Sequence, residues 1–405
     1  MKSAVVMFVV FAFCYFLSAL LRGVTATLAP AFTAELGLTA GDLGLLAGAY
    51  FLGFATTQLP LGSALDRYGP KRVLLALLSL AVLACAAFAL SRQFIGLASA
   101  RVLIGVGVSA CLMAPLTAFR RSFAPVAQLR ANSWMLMAGS TGMVASTLPV
   151  QWLLPSIGWR GLFWLLAAAV LLGMVAIAAL VPRDTPSAAA HAGAGSYADV
   201  WRHPTFVRFA PMGFFHYGGL IAVQSLWAGP WLVDVCRWTP DQAARGLFAI
   251  NLAMLASFMA WGGIVPRLYA RGWTAQRLIA LGAPVSLAAL ALALLLGAQA
   301  TAWTWLLFCT GCSVVALSQP AVAQPLPPAL AGRALSAYNL VIFLGIFALQ
   351  WGMGLAIDVF RGWGWDVVSA YRGACALLWC CIAGAYVWFL CRAEAPAARP
   401  LNQPA

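Results

Sequence analysis

Charged residues are scarce in this chain. Only 8% of its 405 residues are Asp, Glu, Lys or Arg, whereas 63% are hydrophobic. A water-soluble domain is about one quarter charged, because polar groups must cover the surface that water contacts. The shortage excludes a water-soluble globular fold of this length and indicates that lipid solvates most of the protein surface.

Acidic residues are the scarcest, since 10 Asp and Glu stand against 24 Lys and Arg. None of them is placed near the centre of a long hydrophobic run; they are Glu35, Asp42, Asp66, Asp184, Asp199, Asp234, Asp241, Asp358, Asp366 and Glu394. Proton symporters usually carry a carboxylate at mid-membrane. The sequence therefore argues against proton coupling by that route.

Clusters of catalytic or metal-binding residues are also missing. His191, His203 and His216 are scattered, and the pair Cys309-x-x-Cys312 has no second pair or nearby histidine to complete a metal site. No nucleophile, base and cofactor motif combine into one constellation. We therefore expect neither an enzyme nor a bound metal or cofactor.

What the chain has instead is hydrophobic runs long enough to cross a bilayer, which takes about 20 residues of helix. Twelve runs qualify, at roughly 4–29, 42–64, 71–91, 94–118, 131–153, 160–181, 206–233, 243–265, 275–297, 302–326, 334–357 and 371–391. The alternation of a membrane barrel is absent. The predicted fold is an all-α membrane protein with twelve transmembrane helices.

The distribution of basic residues predicts how the chain is oriented in the membrane. Most of them fall in the tails and in alternate loops on the side of residue 1, an excess that marks the cytoplasmic side. The net charge of +14 is then a topology signal, and no nucleic-acid partner is expected. The preference for Arg over Lys fits a GC-rich bacterium. We predict a multi-pass protein of the bacterial inner membrane with both termini in the cytoplasm.

The longest polar interruption, 182–205, divides the chain into two halves. We predict a six-helix bundle at 1–181, a cytoplasmic linker at 182–205, a second bundle at 206–392, and a disordered tail at 393–405, which is rich in Ala and Pro. A turn beginning at Gly262 is a worn copy of one that begins at Gly62, about 200 residues earlier, which favours a duplicated unit.

The turn between the second and third runs carries the most specific motif. It reads Gly62-Ser-Ala-Leu-Asp66-Arg67-Tyr-Gly69-Pro-Lys71-Arg72. It resembles the loop between helices 2 and 3 of the major facilitator superfamily, with the pattern Gly-x-x-x-Asp-Arg-x-Gly-x-Lys/Arg-Lys/Arg, although Pro70 stands where a basic residue is common. The resemblance implies two pseudo-symmetric six-helix bundles that work by alternating access.

The same resemblance gives this turn a role as a conformational gate, formed by Gly62, Asp66, Arg67, Gly69, Lys71 and Arg72. Asp66 could pair with a neighbouring Arg67 or Lys71 and would cap the positive N-terminus of helix 11 near Arg333, closing the cytoplasmic side. The alternative is a solvated loop whose charges only enforce topology.

Arg22 is a charge inside a predicted span, which is costly and therefore a candidate for function. It is placed towards the outer half of helix 1. At 100° per residue it shares an arc of about 80° with Tyr15, Ser18 and Thr25, so one polar face would look into the bundle. A guanidinium suits carboxylate or phosphate, so we read Arg22 as an anion anchor, as in some organic-anion members of the superfamily. The alternative is an arginine that extends to the outer headgroups.

Other polar residues within spans are candidates of two kinds. His216, Gln224, Trp227 and Trp231 on helix 7 fall within an arc of about 80° and predict a second polar face, with His216 as a possible coupling residue. Arg101, in a motif similar to the helix 4 Arg-x-x-x-Gly-x-Gly of the superfamily, is either a coupling or a structural residue. The remaining candidates either line the cavity or tie helices together: Tyr50, Gln58, Asn251, Gln319 and Asn339.

Together these features predict a monomeric transporter of a small, anionic organic solute, coupled to a proton or another ion as a symporter. The predicted binding residues are Arg22, Tyr15, Tyr50, Gln58, Gln224, Trp227, Asn251 and Asn339. An efflux antiporter of the same fold is the main alternative, although helix 5 lacks the Gly-Pro pair that is typical of drug/proton antiporters. A transport-inactive nutrient sensor is an alternative of another class.

Overall fold

The computed structural model describes residues 2–182 and 196–392. Most of the predicted linker (183–195) and the predicted disordered tail (393–405) lie outside the described residues. Within the described ranges the chain is almost entirely helical and forms no β-strand. The prediction of an all-α fold is therefore confirmed.

Helices α1 to α6 form the amino-terminal half. Their bounds are Lys2–Leu36 for α1, Ala40–Thr56 and Gln58–Tyr68 for α2, Pro70–Leu90 for α3, and Phe94–Val108 and Ala110–Ser122 for α4. Helix α5 consists of Pro125–Ala145 and the first part of the run Leu148–Leu180, and α6 is the part of that run after Gly158. The last run turns at Gly158, whose φ of 63° favours glycine. That turn separates the predicted fifth and sixth spans.

A short helix, Tyr197–Arg202, precedes the carboxyl-terminal half. The bounds of the six long helices there are Pro204–Val235 for α7, Pro240–Ala270 for α8, Ala275–Gln299 for α9, Ala302–Ala323 for α10, Pro328–Gly362 for α11 and Val367–Cys391 for α12. Among the described residues, ten helices are long and apolar enough to cross a membrane, and Ala40–Thr56 is a shorter apolar helix.

Proline explains why two predicted spans are broken helices. Pro60 cannot donate a hydrogen bond to the carbonyl of Thr56, and α2 is interrupted at Thr57. Pro149 likewise has no N–H for the carbonyl of Ala145, where the first segment of α5 ends. Both breaks therefore follow from the sequence, although the hydrophobic runs continue across them.

The two faces of the helix bundle are defined here by the chain. The terminal face is the one where α1 begins and α12 ends, and the far face carries the turns from α1 to α2 and from α11 to α12. The far segment of α2, Ala40–Thr56, contacts α11 much more extensively than the terminal segment of α2, Gln58–Tyr68, contacts α11. The halves are thus most closely joined at the far face.

Candidate functional site

Arg22 lies near the middle of α1, because this helix continues without a break to Leu36. The predicted span ended at residue 29, but Pro30 does not end the helix, so Arg22 lies close to the helix centre, on the side of the midpoint that leads to the far face. Arg22 is half-buried, and its Nε atom is fully buried with no hydrogen-bond partner among the described residues. This position does not suit an arginine that extends to the headgroups.

Three tyrosines surround the guanidinium of Arg22. The hydroxyls of Tyr15 on α1, Tyr50 on α2 and Tyr217 on α7 lie within its electrostatic range. Tyr217 is also within range of Tyr15. The cluster therefore brings together side chains of both halves around one positive charge. We call these four residues the Arg22 cluster.

Sequence reasoning did not identify Tyr217. Its neighbour His216 drew attention as the titratable residue of this span, and Tyr217 lies about 100° away from it on a regular helix. The only available signal was a second aromatic hydroxyl beside Gly218 and Gly219, which is too common to be specific.

The predicted polar face of α1 has two edges in the structure. Tyr15 and Arg22 form one edge, which lies near Tyr217 of α7. Ser18 and Thr25 form the other and are 3% and 1% exposed. The Tyr50 hydroxyl donates to the Ser18 carbonyl at 3.1 Å, so this second edge packs within the amino-terminal half.

Arg101 is held by groups of its own half. Its guanidinium donates to the Leu21 carbonyl at 3.0 Å and to the hydroxyl of Thr25, and it lies 5.4 Å from the centre of the Tyr50 ring. A side chain at Gly105 would collide with the Tyr50 carbonyl, so α4 and α2 touch there. These contacts account for a structural role, and a coupling role for Arg101 stays a prediction.

The predicted single polar face of α7 is wrong. His216 bonds to Ser286 of α9 at 2.7 Å, and Gln224 donates to Asn251 of α8 at 2.9 Å. Trp227 donates to the Gln350 carbonyl of α11 at 3.1 Å, whereas Trp231 donates to the Ala300 carbonyl between α9 and α10 at 2.9 Å.

The cause is the backbone of α7. It contains three π-type turns, Met212–Tyr217, Val223–Trp227 and Trp231–Val235. Each π-type turn closes an i→i+5 hydrogen bond and so changes the rotation per residue. Side chains placed on one face by a period of 3.6 therefore point to different neighbours.

The other predicted binding residues make hydrogen bonds within the protein. The Gln58 side chain donates to the Phe54 carbonyl of its own helix at 3.1 Å. Asn339 of α11 accepts from Gln319 of α10 at 2.9 Å. Of the predicted binding residues, the structure brings Arg22, Tyr15 and Tyr50 together. Gln58, Gln224, Trp227, Asn251 and Asn339 instead tie helices or turns, and their binding roles stay predictions.

The predicted gate turn lies at the terminal face. Gly69, with φ of 85°, joins α2 to α3, and Pro70 occupies the first position of α3, where its missing N–H costs nothing. Lys71 donates to the Ala178 carbonyl at 2.9 Å near the end of α6. Arg67 lies 5.2 Å from the centre of the Tyr68 ring. The turn therefore ties α2, α3 and α6 together.

Asp66 has partners that the sequence did not predict. Its carboxylate lies 4.0 Å from Arg120 and 3.8 Å from Arg121, both at the end of α4. The expected pairing with Arg67 or Lys71 is not the one found, because the end of α4 brings two guanidinium groups to the same carboxylate. The ion pairs that Asp66 forms within the described residues are both with its own half.

Comparison with known proteins gives a consistent result. Residues 11–349 match the Major Facilitator Superfamily. The chain is 29% identical over 263 residues to the 3-(3-hydroxy-phenyl)propionate transporter of Escherichia coli, covering 62% of this chain and 60% of that protein. It is 29% identical over 144 residues to the cis,cis-muconate transport protein of Acinetobacter baylyi, covering 35% and 34%. The matches thus span about three fifths and one third of the two relatives.

A solved structure shares the fold. A bacterial homolog of the human lysosomal transporter Spinster, in an inward-facing and unoccupied conformation, superposes with a TM-score of 0.77. The superposition covers 98% of this chain and 99% of that one at 19% sequence identity. At this identity the likeness shows the fold alone.

Proposed function

Because this chain belongs to the Major Facilitator Superfamily, we propose that it is a secondary transporter that moves a small organic anion by alternating access. It acts as a monomer in the bacterial inner membrane, and its terminal face, bordered by the basic gate turn, is cytoplasmic. The amino-terminal bundle (1–181) and the carboxyl-terminal bundle (206–392) are the two moving units, joined by the linker 182–205.

The observation that carries this proposal is that the guanidinium of Arg22, at the centre of the Arg22 cluster, has no acidic partner among the described residues. Ion pairs among the described residues involve Glu35, Asp66 and Asp241, and none of them involves Arg22. Taking a guanidinium partly out of water without an opposite charge is unfavourable, and an anionic ligand would offset that cost. The planar fork of a guanidinium fits a carboxylate with two parallel hydrogen bonds.

The phenols of the Arg22 cluster suit a carboxylate that carries further polar or aromatic groups. A tyrosine hydroxyl can donate to a ligand oxygen and its ring can pack on an aromatic ring. Since Tyr217 belongs to α7 while the other members belong to α1 and α2, a bound anion would contact both halves. This is the position expected for a transported solute, at the interface between the repeats near the midplane.

The names of the relatives support the same solute class. Hydroxyphenylpropionate and muconate are both organic carboxylates, and the relatives named for them match this chain over part of their length. A symport mechanism is consistent with the family.

A ligand screen with purified protein tests the proposal. We expect 3-(3-hydroxyphenyl)propionate, benzoate or muconate to raise the midpoint of thermal unfolding, whereas tetraphenylphosphonium, a cationic efflux substrate, should not. Counterflow of the stabilising acid in proteoliposomes then separates transport from sensing. Stabilisation by the cation alone would favour the efflux alternative, and stabilisation without counterflow would favour a sensor.

A further inference from the structure

The first turn of α2 receives a cap from the other half of the protein. Asp358, near the far end of α11, accepts hydrogen bonds from the amide of Ala40 at 3.1 Å and from the amide of Gly41 at 2.7 Å. Thr39 and Asp42 form a capping box with each other, which satisfies the neighbouring amide of Asp42. Asp358 therefore completes the cap of a helix more than 300 residues away in sequence.

Glycines bring the backbones of the two helices into direct contact around this carboxylate. A side chain at Gly44 of α2 would collide with the backbone carbonyl of Gln350 on α11. A side chain at Gly354 of α11 would collide with the carbonyl of Ala40 on α2. The contact is thus backbone against backbone, and it is possible only while the far ends of α2 and α11 are closed on each other.

The two helices run in opposite directions, and each has one aspartate near its carboxyl end. Asp66 lies near the end of α2 at the terminal face, and Asp358 lies near the end of α11 at the far face. In this structure Asp358 crosses between the halves, whereas Asp66 pairs with Arg120 and Arg121 of its own half. Among the described residues, the carboxylate bonds found between this helix pair are thus those of Asp358 at the far face.

We propose that Asp358 is a latch that holds the far face closed while the transporter is open to the terminal face. A carboxylate at a helix N-terminus is favoured by the helix dipole and by charge-assisted hydrogen bonds to its free amides. Rocking of the halves separates α2 from α11 at the far face and breaks both bonds. The inference rests on alternating access in the proposed function, but it does not depend on the chemistry of the solute.

Hydrogen–deuterium exchange of the purified full-length protein without solute tests the latch. Asp358→Asn keeps the shape of the side chain but removes its charge and one acceptor oxygen. We expect exchange to rise about tenfold in peptides over 38–47 and 350–360. Because the halves move as rigid bodies, exchange should fall at the terminal ends of the same helices, over 60–68 and 330–338.

A matched control is Asp366→Asn. Asp366 also lies at the far face and also caps a helix, since it accepts from the Ser369 amide at 3.0 Å, but this cap is within α12. We expect its effect to remain at the start of α12. If Asp358→Asn raises exchange only over 38–47, with the terminal ends unchanged, Asp358 is a local cap and the latch is refuted; unchanged exchange everywhere refutes it equally.

A second variant tests the contact without altering the carboxylate. Gly44→Ala places a methyl group against the Gln350 carbonyl and should force the far ends apart, giving the same opposite changes at the two faces. If Asp358→Asn cannot be purified folded, Gly44→Ala decides: opposite changes support the latch and unchanged terminal ends overturn it. A failed ligand screen would leave these results intact, so the two proposals can fail separately.

Discussion

Replacing Arg22 with glutamine removes the positive charge at the centre of the proposed site while leaving an amide that can still donate hydrogen bonds. In the structure this charge lies among the phenol groups of Tyr15, Tyr50 and Tyr217. The protein without solute therefore loses no ion pair when the charge is removed. Its unfolding midpoint should stay the same or rise, because a partly buried charge without an acidic partner is removed.

Solute binding should respond in the opposite way. A hydrogen bond to a charged group contributes about 1.5 to 3 kcal/mol, which corresponds to about 10- to 150-fold in affinity. We expect Arg22→Gln to weaken carboxylate binding by a factor in this range. The carboxylate affinity of Arg22→Lys should lie between those of the unsubstituted protein and Arg22→Gln, because lysine keeps the charge but loses the planar fork.

The assay is the dependence of the unfolding midpoint on the concentration of 3-(3-hydroxyphenyl)propionate or benzoate, followed by counterflow in proteoliposomes. Arg245→Gln is the matched control, since Arg245 is exposed on α8 and pairs with Asp241 at 2.9 Å. It should leave both measurements unchanged. Unaltered carboxylate affinity in Arg22→Gln would refute the anion site, and a large loss of stability without solute would show that the guanidinium is structural.

Three further predictions concern residues outside the anion contact. Asp66→Asn should slow turnover more than it weakens equilibrium binding, as measured by counterflow and thermal shift, and a loss of binding alone would contradict the gate. Arg101→Gln should lower the free energy of unfolding by about 3 kcal/mol or more, because the Leu21 carbonyl and the Thr25 hydroxyl lose their buried donor. Chemical denaturation measures this change, and a change within error would show that these hydrogen bonds do not hold α4 in place. His216→Gln should leave the dependence of uptake on pH between about 5.5 and 8 unchanged, because His216 bonds to Ser286 of α9 and not to the Arg22 cluster. A flattened dependence of uptake on pH would instead support a coupling role for His216.

The sequence by itself determined the features that depend on local composition. Apolar runs of about 20 residues predict membrane-spanning helices. The spacing of Tyr15, Ser18, Arg22 and Thr25 fixed the interior face of α1, because that helix keeps its regular period across these residues. The motif from Gly62 to Arg72 located the turn that joins α2 to α3.

Only the tertiary structure decided how the polar side chains are paired. Arg22 and Arg101 look equivalent in the sequence, as single arginines within spans. The structure separates them: Arg101 donates to the carbonyl of Leu21 and the hydroxyl of Thr25 in its own half, whereas the guanidinium of Arg22 lies near Tyr217 of the other half. The difference depends on which helix lies opposite, and no local pattern contains that information.

The same reason explains the errors on α7 and in the predicted partners of Asp66. The π-type turns of α7 rotate its side chains relative to a regular helix, and Tyr217 reaches the site from a position that periodicity did not single out. Asp358 looks like an ordinary loop acid until the far ends of α2 and α11 are brought together. Composition and period determine which segments become helices. Contacts between residues hundreds of positions apart determine which partners each charged side chain has.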